Sequence, residues 1–200
     1  MTNFTKNDML KPLGGLFLMT PFTTVWAIIA EVALANRDYR LVGITFLVII
    51  LVFLYFYFVF SSVEKKLPVA IEPQDASEKK QNKSFIIIFV IEGLAIFIVK
   101  NILVNINHDE FFVPCFALIV GLHFFPLAAV FKRKFDYYLA TWTSVIAIIG
   151  ILQMLKKSLP EYLITTFVAI GCAVATSVYG FKMISNGREI VKKVCTQTDL

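Results

Sequence analysis

Hydrophobic and polar positions in this chain alternate in long blocks. Six apolar runs, each near the ~20 residues that a helix needs to cross ~30 Å of hydrocarbon, are separated by charged clusters. The predicted spans are residues 13–35, 41–60, 85–106, 111–131, 137–155 and 162–184. Spans must be helices or closed barrels, and barrel strands would show about ten residues of alternating polarity. The continuous runs therefore predict an all-α polytopic membrane protein with six transmembrane helices.

The composition agrees with this pattern. Apolar residues make up 58% of the chain and charged residues 16%, against about 25% charged in an ordinary globular protein. Residues 61–84 are rich in Lys, Glu, Ser and Gln and contain two prolines, which predicts a flexible cytoplasmic linker. Residues 185–200 are polar and predict a cytoplasmic tail. The whole chain, 1–200, is interpreted as a single membrane domain.

The net charge of +5 is best explained by topology. With six spans, one side of the membrane carries fourteen basic residues: Lys6, Lys11, Lys65, Lys66, Lys79, Lys80, Lys83, Lys132, Arg133, Lys134, Lys182, Arg188, Lys192 and Lys193. The other side carries five: Arg37, Arg40, Lys100, Lys156 and Lys157. Cytoplasmic loops carry the excess of Lys and Arg, so both termini are predicted to be cytoplasmic. The expected partners are the bilayer and anionic lipid headgroups on the cytoplasmic side, with no nucleic acid; a second copy of the chain is a further candidate.

The amino-terminal run has an alternative interpretation as a cleaved signal peptide. Lys6 and Lys11 precede an apolar stretch that ends in Ala33-Leu34-Ala35, which resembles a cleavage site. The stretch is longer than the 7–15 residues usual for a signal peptide, and Glu31 lies just before the site. A retained first helix is the favoured interpretation, and cleavage would leave five spans.

Two ionisable residues fall at matching depth in consecutive spans. Glu92 lies seven residues after Phe85, about 10 Å into its helix, and His123 lies eight residues before Phe131, about 12 Å deep. If the two faces meet, Glu92 can hydrogen-bond His123, and the pair can share or relay a proton, as intramembrane ionisable residues often do. The alternative is that each residue is neutral and only fastens helices together, with contacts averaging ~0.6 kcal/mol.

Prolines and a glycine accompany this pair. Pro126 lacks the N–H that would bond the carbonyl of Leu122, so the fourth span is predicted to bend near His123. Gly121 leaves room for a neighbouring helix or a ligand. Pro21 frees a second carbonyl in the first span. The predicted substrate or proton site, in the cytoplasmic half of the bundle, comprises Glu92, His123, Pro126, Gly121, Thr20, Pro21, Thr143 and Ser177.

Two further charges lie toward the outer ends of their helices. Glu31 and Lys100 are predicted either to be solvated at the interface, since the lysine stem can extend to it, or to form an outer polar pair. The three cysteines have no paired spacing, and no metal-ligand cluster, cofactor motif or catalytic serine–histidine–acid set is recognisable. The sequence therefore predicts no metal, no cofactor and, on balance, no enzyme.

The segment GLHFFPLA, residues 121–128, is followed by Lys132, Arg133 and Lys134. It resembles a segment of small, functionally uncharacterised bacterial multi-spanning membrane proteins. The resemblance covers one helix and its exit loop, and it implies no activity. It places the protein in a bacterial inner membrane.

Three functions are compatible with these features. The leading one is binding or translocation of a small solute, coupled to protons through Glu92 and His123. The second is a membrane-embedded enzyme or lipid-binding protein that uses the same pocket, and the third is a non-catalytic assembly or scaffold subunit. A cavity open to cytoplasmic water would favour the first, an opening sideways into lipid the second, and a dry packed interior the third.

Overall fold

The fold consists of six α-helices. The computed structural model describes residues 5–35, 37–68 and 76–198, with side chains for 5–35, 37–68 and 80–194. The helices are α1 (Lys6–Leu34), α2 (Leu41–Glu64), α3 (Ala76–Asn105), α4 (Phe112–Phe131), α5 (Lys134–Lys156) and α6 (Glu161–Thr198). A single 3-10 turn, Asp109–Phe111, precedes α4, and the described residues contain no strand. Each helix includes a stretch long and apolar enough to cross a membrane, so the predicted all-helical fold with six candidate spans is confirmed.

Several helices extend beyond the apolar runs that predicted them. The predicted linker, 61–84, is helical at both ends, because α2 continues to Glu64 and α3 begins at Ala76; residues 69–75 lie outside the described residues. The predicted tail is helical as far as Thr198. An apolar run marks only the part of a helix suited to lipid. Lys, Glu and Gln are good helix formers, so polar flanking sequence continues the helix.

The start of the α2–α3 connection is fixed against the start of α1. The backbone N–H of Lys6 donates to the Pro68 carbonyl at 2.9 Å, and Lys6 Nζ lies 3.0 Å from Glu64 Oε1. These contacts place the first residues of α1 beside the last residues of α2, as antiparallel neighbouring spans require.

The interior is built around α1 and α6, which pack on each other along their length. α2 covers one side of this pair, α4 packs on α5, and α5 in turn packs on α6. One apolar core includes Met9, Leu16 and Phe53, and a second, toward the opposite end of the bundle, includes Trp26 and Ala147. The helix order in space therefore leaves α2 and α3 on the outside.

Gly121 lies where α4 and α5 pack closely together. A Cβ atom at this position would lie 2.6 Å from Ser144 Oγ, 2.8 Å from Ser144 N and 3.1 Å from Ser144 Cα. These distances leave no space for a side chain. Gly121 therefore serves the packing of one helix on another, which is one of the two roles that the sequence allowed.

The outer helices expose large apolar side chains. Phe58 on α2 and Phe97 on α3 are each 65% exposed, and many neighbours on both helices are similar. Contiguous apolar surface of this kind is rare on water-soluble monomers and suits contact with lipid. α3 packs mainly on α4, and Glu92 is the one fully buried residue between Lys80 and Asn105.

Candidate functional site

A cavity of about 400 Å³ lies among α1, α3, α4 and the facing ends of α5 and α6. Its wall combines aromatic and aliphatic side chains with a polar region near the start of α1. The residues that line it are Asn7, Leu10, Lys11, Gly14, Gly15, Leu18, Met19, Phe22, Gln81, Asn82, Phe85, Phe89, His123, Phe124, Leu127, Phe131, Arg133, Asp136 and Tyr179. Five of the six helices, together with the residue preceding α5, thus form one site.

Glu92 and His123 meet at the edge of this cavity. His123 Nδ1 lies 3.1 Å from Glu92 Oε1, and the two side chains are 8% and 6% exposed. The separation is that of an ion pair, but the direction of the ring nitrogen does not satisfy hydrogen-bond geometry, and Nδ1 has no hydrogen-bond partner within the described residues. The contact is therefore a close electrostatic one, and the hydrogen bond expected from the sequence is not formed.

Aromatic rings surround His123 on the cavity side. The Phe124 ring centroid lies 4.3 Å from the imidazole centroid, and the Phe89 centroid lies 6.2 Å away. His123 lines the cavity, whereas Glu92 lies behind it and does not. A ligand would therefore reach the imidazole, and any effect on the carboxylate would pass through that ring.

A second polar group, unrecognised in the sequence, also lines the cavity. Arg133 Nη1 donates to the Tyr179 hydroxyl at 2.9 Å, and the guanidinium lies 4.7 Å from the centre of the Phe131 ring. Asp136 is 3% exposed. Its carboxyl group lies close enough to the Tyr179 hydroxyl and the Arg133 guanidinium to interact with both, although its Oδ1 forms no hydrogen bond among the described residues. The sequence signal was an acid that follows three basic residues at the start of an apolar run. The basic residues were interpreted only as a signal of membrane topology, and the acid was not considered.

The remaining predicted site residues lie away from the cavity. Pro126 and Pro21 are exposed, and both stand inside continuous helices. The hydroxyls of Thr20 and Ser177 donate to carbonyls of their own helices, at 2.8 and 2.7 Å. Thr143 is buried in the bundle interior. Gly121 packs against α5, and none of these six residues lines the cavity. The hydroxyls of Thr20 and Ser177 bond within their own helices, as hydroxyls in helices readily do.

A hydroxyl contact between the two central helices was not predicted as a pair. Thr23 Oγ1 donates to Thr176 Oγ1 at 2.8 Å, and both residues are buried. The contact joins α1 to α6 in the bundle interior. It is the kind of polar contact that fastens membrane helices.

Glu31 and Lys100 are not brought together. Glu31 Oε2 accepts a hydrogen bond from the backbone N–H of Gly43 at 2.9 Å, near the start of α2, where helix N–H groups lack partners. Lys100 is exposed, and its ammonium lies 5.9 Å from the centre of the Phe112 ring. No ion pair joins the two among the described residues. Glu31 therefore fastens α1 to α2.

Glu31→Leu and Lys100→Leu are expected to differ in stability. Glu31→Leu leaves the Gly43 N–H without its partner and lowers the free energy of unfolding by about 1–3 kcal/mol. Lys100→Leu changes an exposed side chain, and we expect a change of less than about 0.5 kcal/mol. Denaturant unfolding in detergent, followed by far-UV circular dichroism, measures both. Equal losses that fail to add in the double variant would instead establish a Glu31–Lys100 pair.

Within the described residues, no group of three or more His, Cys, Asp or Glu side chains gathers as metal ligands would. By fold, the chain is an all-helical protein with six helices suited to a membrane. By site, it has a cavity of about 400 Å³ edged by a buried acid–imidazole contact. Comparison with protein-family models, curated proteins and solved structures finds no match for the chain.

Proposed function

We propose that this multi-pass membrane protein binds and translocates a small solute through the cavity, with proton coupling at Glu92 and His123. The observation that carries the proposal is the position of the pair. A buried carboxylate lies 3.1 Å from an imidazole that forms part of the cavity wall. A solute in the cavity and a proton on the pair would therefore influence each other directly.

The burial of Glu92 supports a functional role for the pair. A charged residue at a helix centre costs about 2.5–3.5 kcal/mol on insertion scales, and such residues usually mark ion or substrate pathways. α3 exposes most of its apolar side chains and buries this carboxylate. If fastening alone were required, an apolar residue at the same position would serve at lower cost. The presence of the cavity favours solute binding over the scaffold hypothesis, for which we expected a packed interior.

Other titratable groups that line the cavity would influence any pH dependence of the Glu92–His123 pair. Lys11 approaches from α1, Arg133 from the turn before α5, Asp136 from α5 and Tyr179 from α6. All four line the same cavity as His123. A protonation change at the pair is therefore expected to act on the solute together with these groups.

We further propose that the protein lies in a bacterial inner membrane with both termini in the cytoplasm. The distribution of fourteen basic residues on one side against five on the other supports the orientation, and the resemblance of residues 121–128 to a segment of bacterial membrane proteins supports the location. In this orientation Lys11, which lines the cavity near the start of α1, lies toward the cytoplasmic interface.

Proton movement in proteoliposomes tests the proposed function. Vesicles loaded with the pH dye pyranine receive outward or inward gradients of small carboxylates, amines, amino acids or alkyl phosphates. We expect one class to move protons, and Glu92→Gln and His123→Ala to reduce the initial rate about 100-fold, a typical effect of removing a proton-transferring group. The matched controls are Glu161→Gln and His108→Ala, at exposed positions, which are expected to keep the rate.

Labelling of intact cells tests the orientation of the protein. A membrane-impermeant maleimide directed at Cys195, in the predicted cytoplasmic tail, is expected to leave Cys195 unlabelled, because the carboxyl end is proposed to lie in the cytoplasm. Labelling of Cys195 from outside intact cells would overturn the proposed topology.

Proton flux that is absent with every class of solute, or unchanged in both the Glu92 and the His123 variants, would overturn the coupling.

A further inference from the structure

We infer that the solute is an organic anion with an aromatic body, whose anionic group binds Arg133 and whose ring lies on a strip of aromatic side chains that leads from Arg133 to His123. This inference rests on the proposed function and names its substrate class. Three features of the cavity carry it: the excess of positive charge on its wall, the hydrogen-bond donors of Arg133, and the continuity of the aromatic strip.

The charged side chains on the cavity wall favour an anion. Among the described residues, two bases, Lys11 and Arg133, line the cavity with a single acid, Asp136. That acid is buried and interacts with Arg133 within the protein. The other buried acid, Glu92, lies behind His123 and does not line the cavity. An anionic solute is therefore attracted by the wall as a whole, whereas a cationic solute is repelled.

Arg133 has donors available for a ligand. A guanidinium has several N–H groups, and among the described residues that of Arg133 makes one hydrogen bond, from Nη1 to the Tyr179 hydroxyl at 2.9 Å. None of the ion pairs in this part of the chain includes Arg133. The Tyr179 hydroxyl and the Phe131 ring, whose centre is 4.7 Å from the guanidinium, hold the group in place. A carboxylate or a similar oxyanion can accept two parallel N–H···O bonds from such a group.

An aromatic strip, formed by Phe131, Phe85, Phe89 and His123, leads away from this guanidinium. The Phe131 ring contacts the guanidinium, and its centroid is 6.1 Å from that of Phe85. The Phe85 centroid is 5.2 Å from that of Phe89, which in turn is 6.2 Å from the imidazole centroid. All four rings line the cavity. Centroid separations of about 4.5–7 Å are favourable for aromatic pairs, so a ligand ring placed on the strip continues the series.

The size of the cavity suits a small organic molecule. Its volume of about 400 Å³ falls within the range of roughly 300–1,000 Å³ that is usual for small-molecule sites. Phe22 of α1 also lines the cavity, and its ring centroid is 6.3 Å from that of Phe89. A bare inorganic anion would make no contact with most of this aromatic wall. An anion with an aromatic body fits both the charge and the shape.

Protonation of the Glu92–His123 pair would strengthen the binding of such an anion. A proton on the imidazole adds a positive charge to the wall, and the anion favours that proton to the same extent, because linkage is reciprocal. The solute and the proton would therefore move in the same direction. The anion would also respond to the remaining titratable groups on the wall: Lys11 of α1, Arg133 before α5, Asp136 of α5 and Tyr179 of α6.

Four small molecules test the substrate class. Phenylmethanesulfonate is an anion with a ring, phenylmethanesulfonamide has a similar shape without the charge, benzylammonium has the opposite charge, and methanesulfonate lacks the ring. Isothermal titration calorimetry of the full chain in non-ionic detergent, with titrations into detergent alone subtracted, gives each Kd. We expect phenylmethanesulfonate to bind about tenfold more tightly than the sulfonamide, because its hydrogen bonds are charge-assisted, and about tenfold more tightly than methanesulfonate, which buries no ring. Benzylammonium is expected to bind more weakly than the sulfonamide.

Matched variants test the two parts of the site. Arg133→Gln is expected to bind the sulfonate and the sulfonamide equally, and Arg133→Lys to lower the preference about threefold, since an ammonium lacks the paired N–H groups. Lys134→Gln is the control, because Lys134 is exposed and does not line the cavity. Phe85→Leu is expected to weaken phenylmethanesulfonate about fivefold and to leave methanesulfonate unchanged. Its control is Phe97→Leu, at an exposed position of α3 outside the cavity wall.

Thermal unfolding of each variant confirms that it is folded, and Arg133→Lys keeps the test valid if Arg133→Gln does not fold. The pyranine-loaded vesicles add a transport measurement. Phenylmethanesulfonate stays ionised and carries no proton across a bilayer by itself. An inward gradient of it is therefore expected to acidify the lumen only when the protein is present, and not with Glu92→Gln.

Equal binding of the sulfonate and the sulfonamide by the unaltered protein would overturn the anionic group, and equal binding of phenylmethanesulfonate and methanesulfonate would overturn the aromatic body. Loss of the preference in Lys11→Gln instead of Arg133→Gln would overturn the assignment to Arg133. Proton flux with another class of solute, without binding of phenylmethanesulfonate, would overturn this inference and leave the proposed function. Binding as expected, without any flux dependent on Glu92, would support the substrate class and overturn the coupling.

Discussion

Replacing Gly121 by Ala lowers the free energy of unfolding by about 1–3 kcal/mol, whereas the same replacement at Gly93 leaves it unchanged or raises it. At Gly121 the added Cβ meets Ser144, including its backbone N at 2.8 Å. A side chain can rotate away from such a contact, but a helix backbone cannot. α4 and α5 must therefore separate, and the packing around the contact is lost.

Gly93 is a matched control for helix propensity. It lies in α3, and a Cβ there would have nothing within 4 Å. Ala is favoured over Gly in a helix interior by up to about 1 kcal/mol. Because this gain applies at both positions, the loss measured for Gly121→Ala is a lower limit on the cost of the steric contact. Reversible unfolding in detergent, followed by far-UV circular dichroism, gives both values. Equal effects at the two glycines would show that α4 and α5 do not approach each other at Ser144.

His123→Leu is expected to destabilise the protein more than the double replacement Glu92→Leu/His123→Leu. Removing the imidazole leaves the Glu92 carboxylate buried without its partner, and breaking a buried pair in this way costs about 3–5 kcal/mol. Replacing both groups removes the uncompensated charge and restores an apolar contact between α3 and α4. The sign of the difference between the single and double variants is therefore the decisive quantity.

The measurement is a double-mutant cycle on unfolding free energies. The other histidine provides the comparison, because His108 Nδ1 lies 2.9 Å from Glu110 Oε1 in a largely exposed contact. We expect its coupling energy to be close to zero, as for most surface pairs. A cycle at Glu92 and His123 as flat as that at His108 and Glu110 would mean that the buried contact does not form.

The six helices and the Glu92–His123 contact were accessible from the sequence for the same reason. An apolar run of fixed length fixes where a helix crosses the membrane. Two residues equally far from the same face of the bilayer therefore share a depth, and α3 and α4 are consecutive. The sequence predicted that Glu92 and His123 lie at the same depth. It did not predict that the two side chains face each other, which depends on the rotation of each helix about its axis.

The second polar group of the cavity was not accessible in this way. Arg133 and Tyr179 are 46 residues apart and belong to parts of the chain that meet through the packing of α4 and α5 on α6. Run lengths contain no information on which helix faces which. The partner of Glu31 was missed for a different reason: it is a backbone N–H, and side-chain chemistry does not reveal it.

The burial pattern of α3 has a consequence for how this helix is held in the bundle. No apolar side chain of α3 between Lys80 and Asn105 is fully buried, so removal of hydrocarbon from water contributes little to holding this helix in place. The contact of Glu92 with His123 is therefore a main attachment of α3 to α4, whereas the close packing at Gly121 joins α4 to α5.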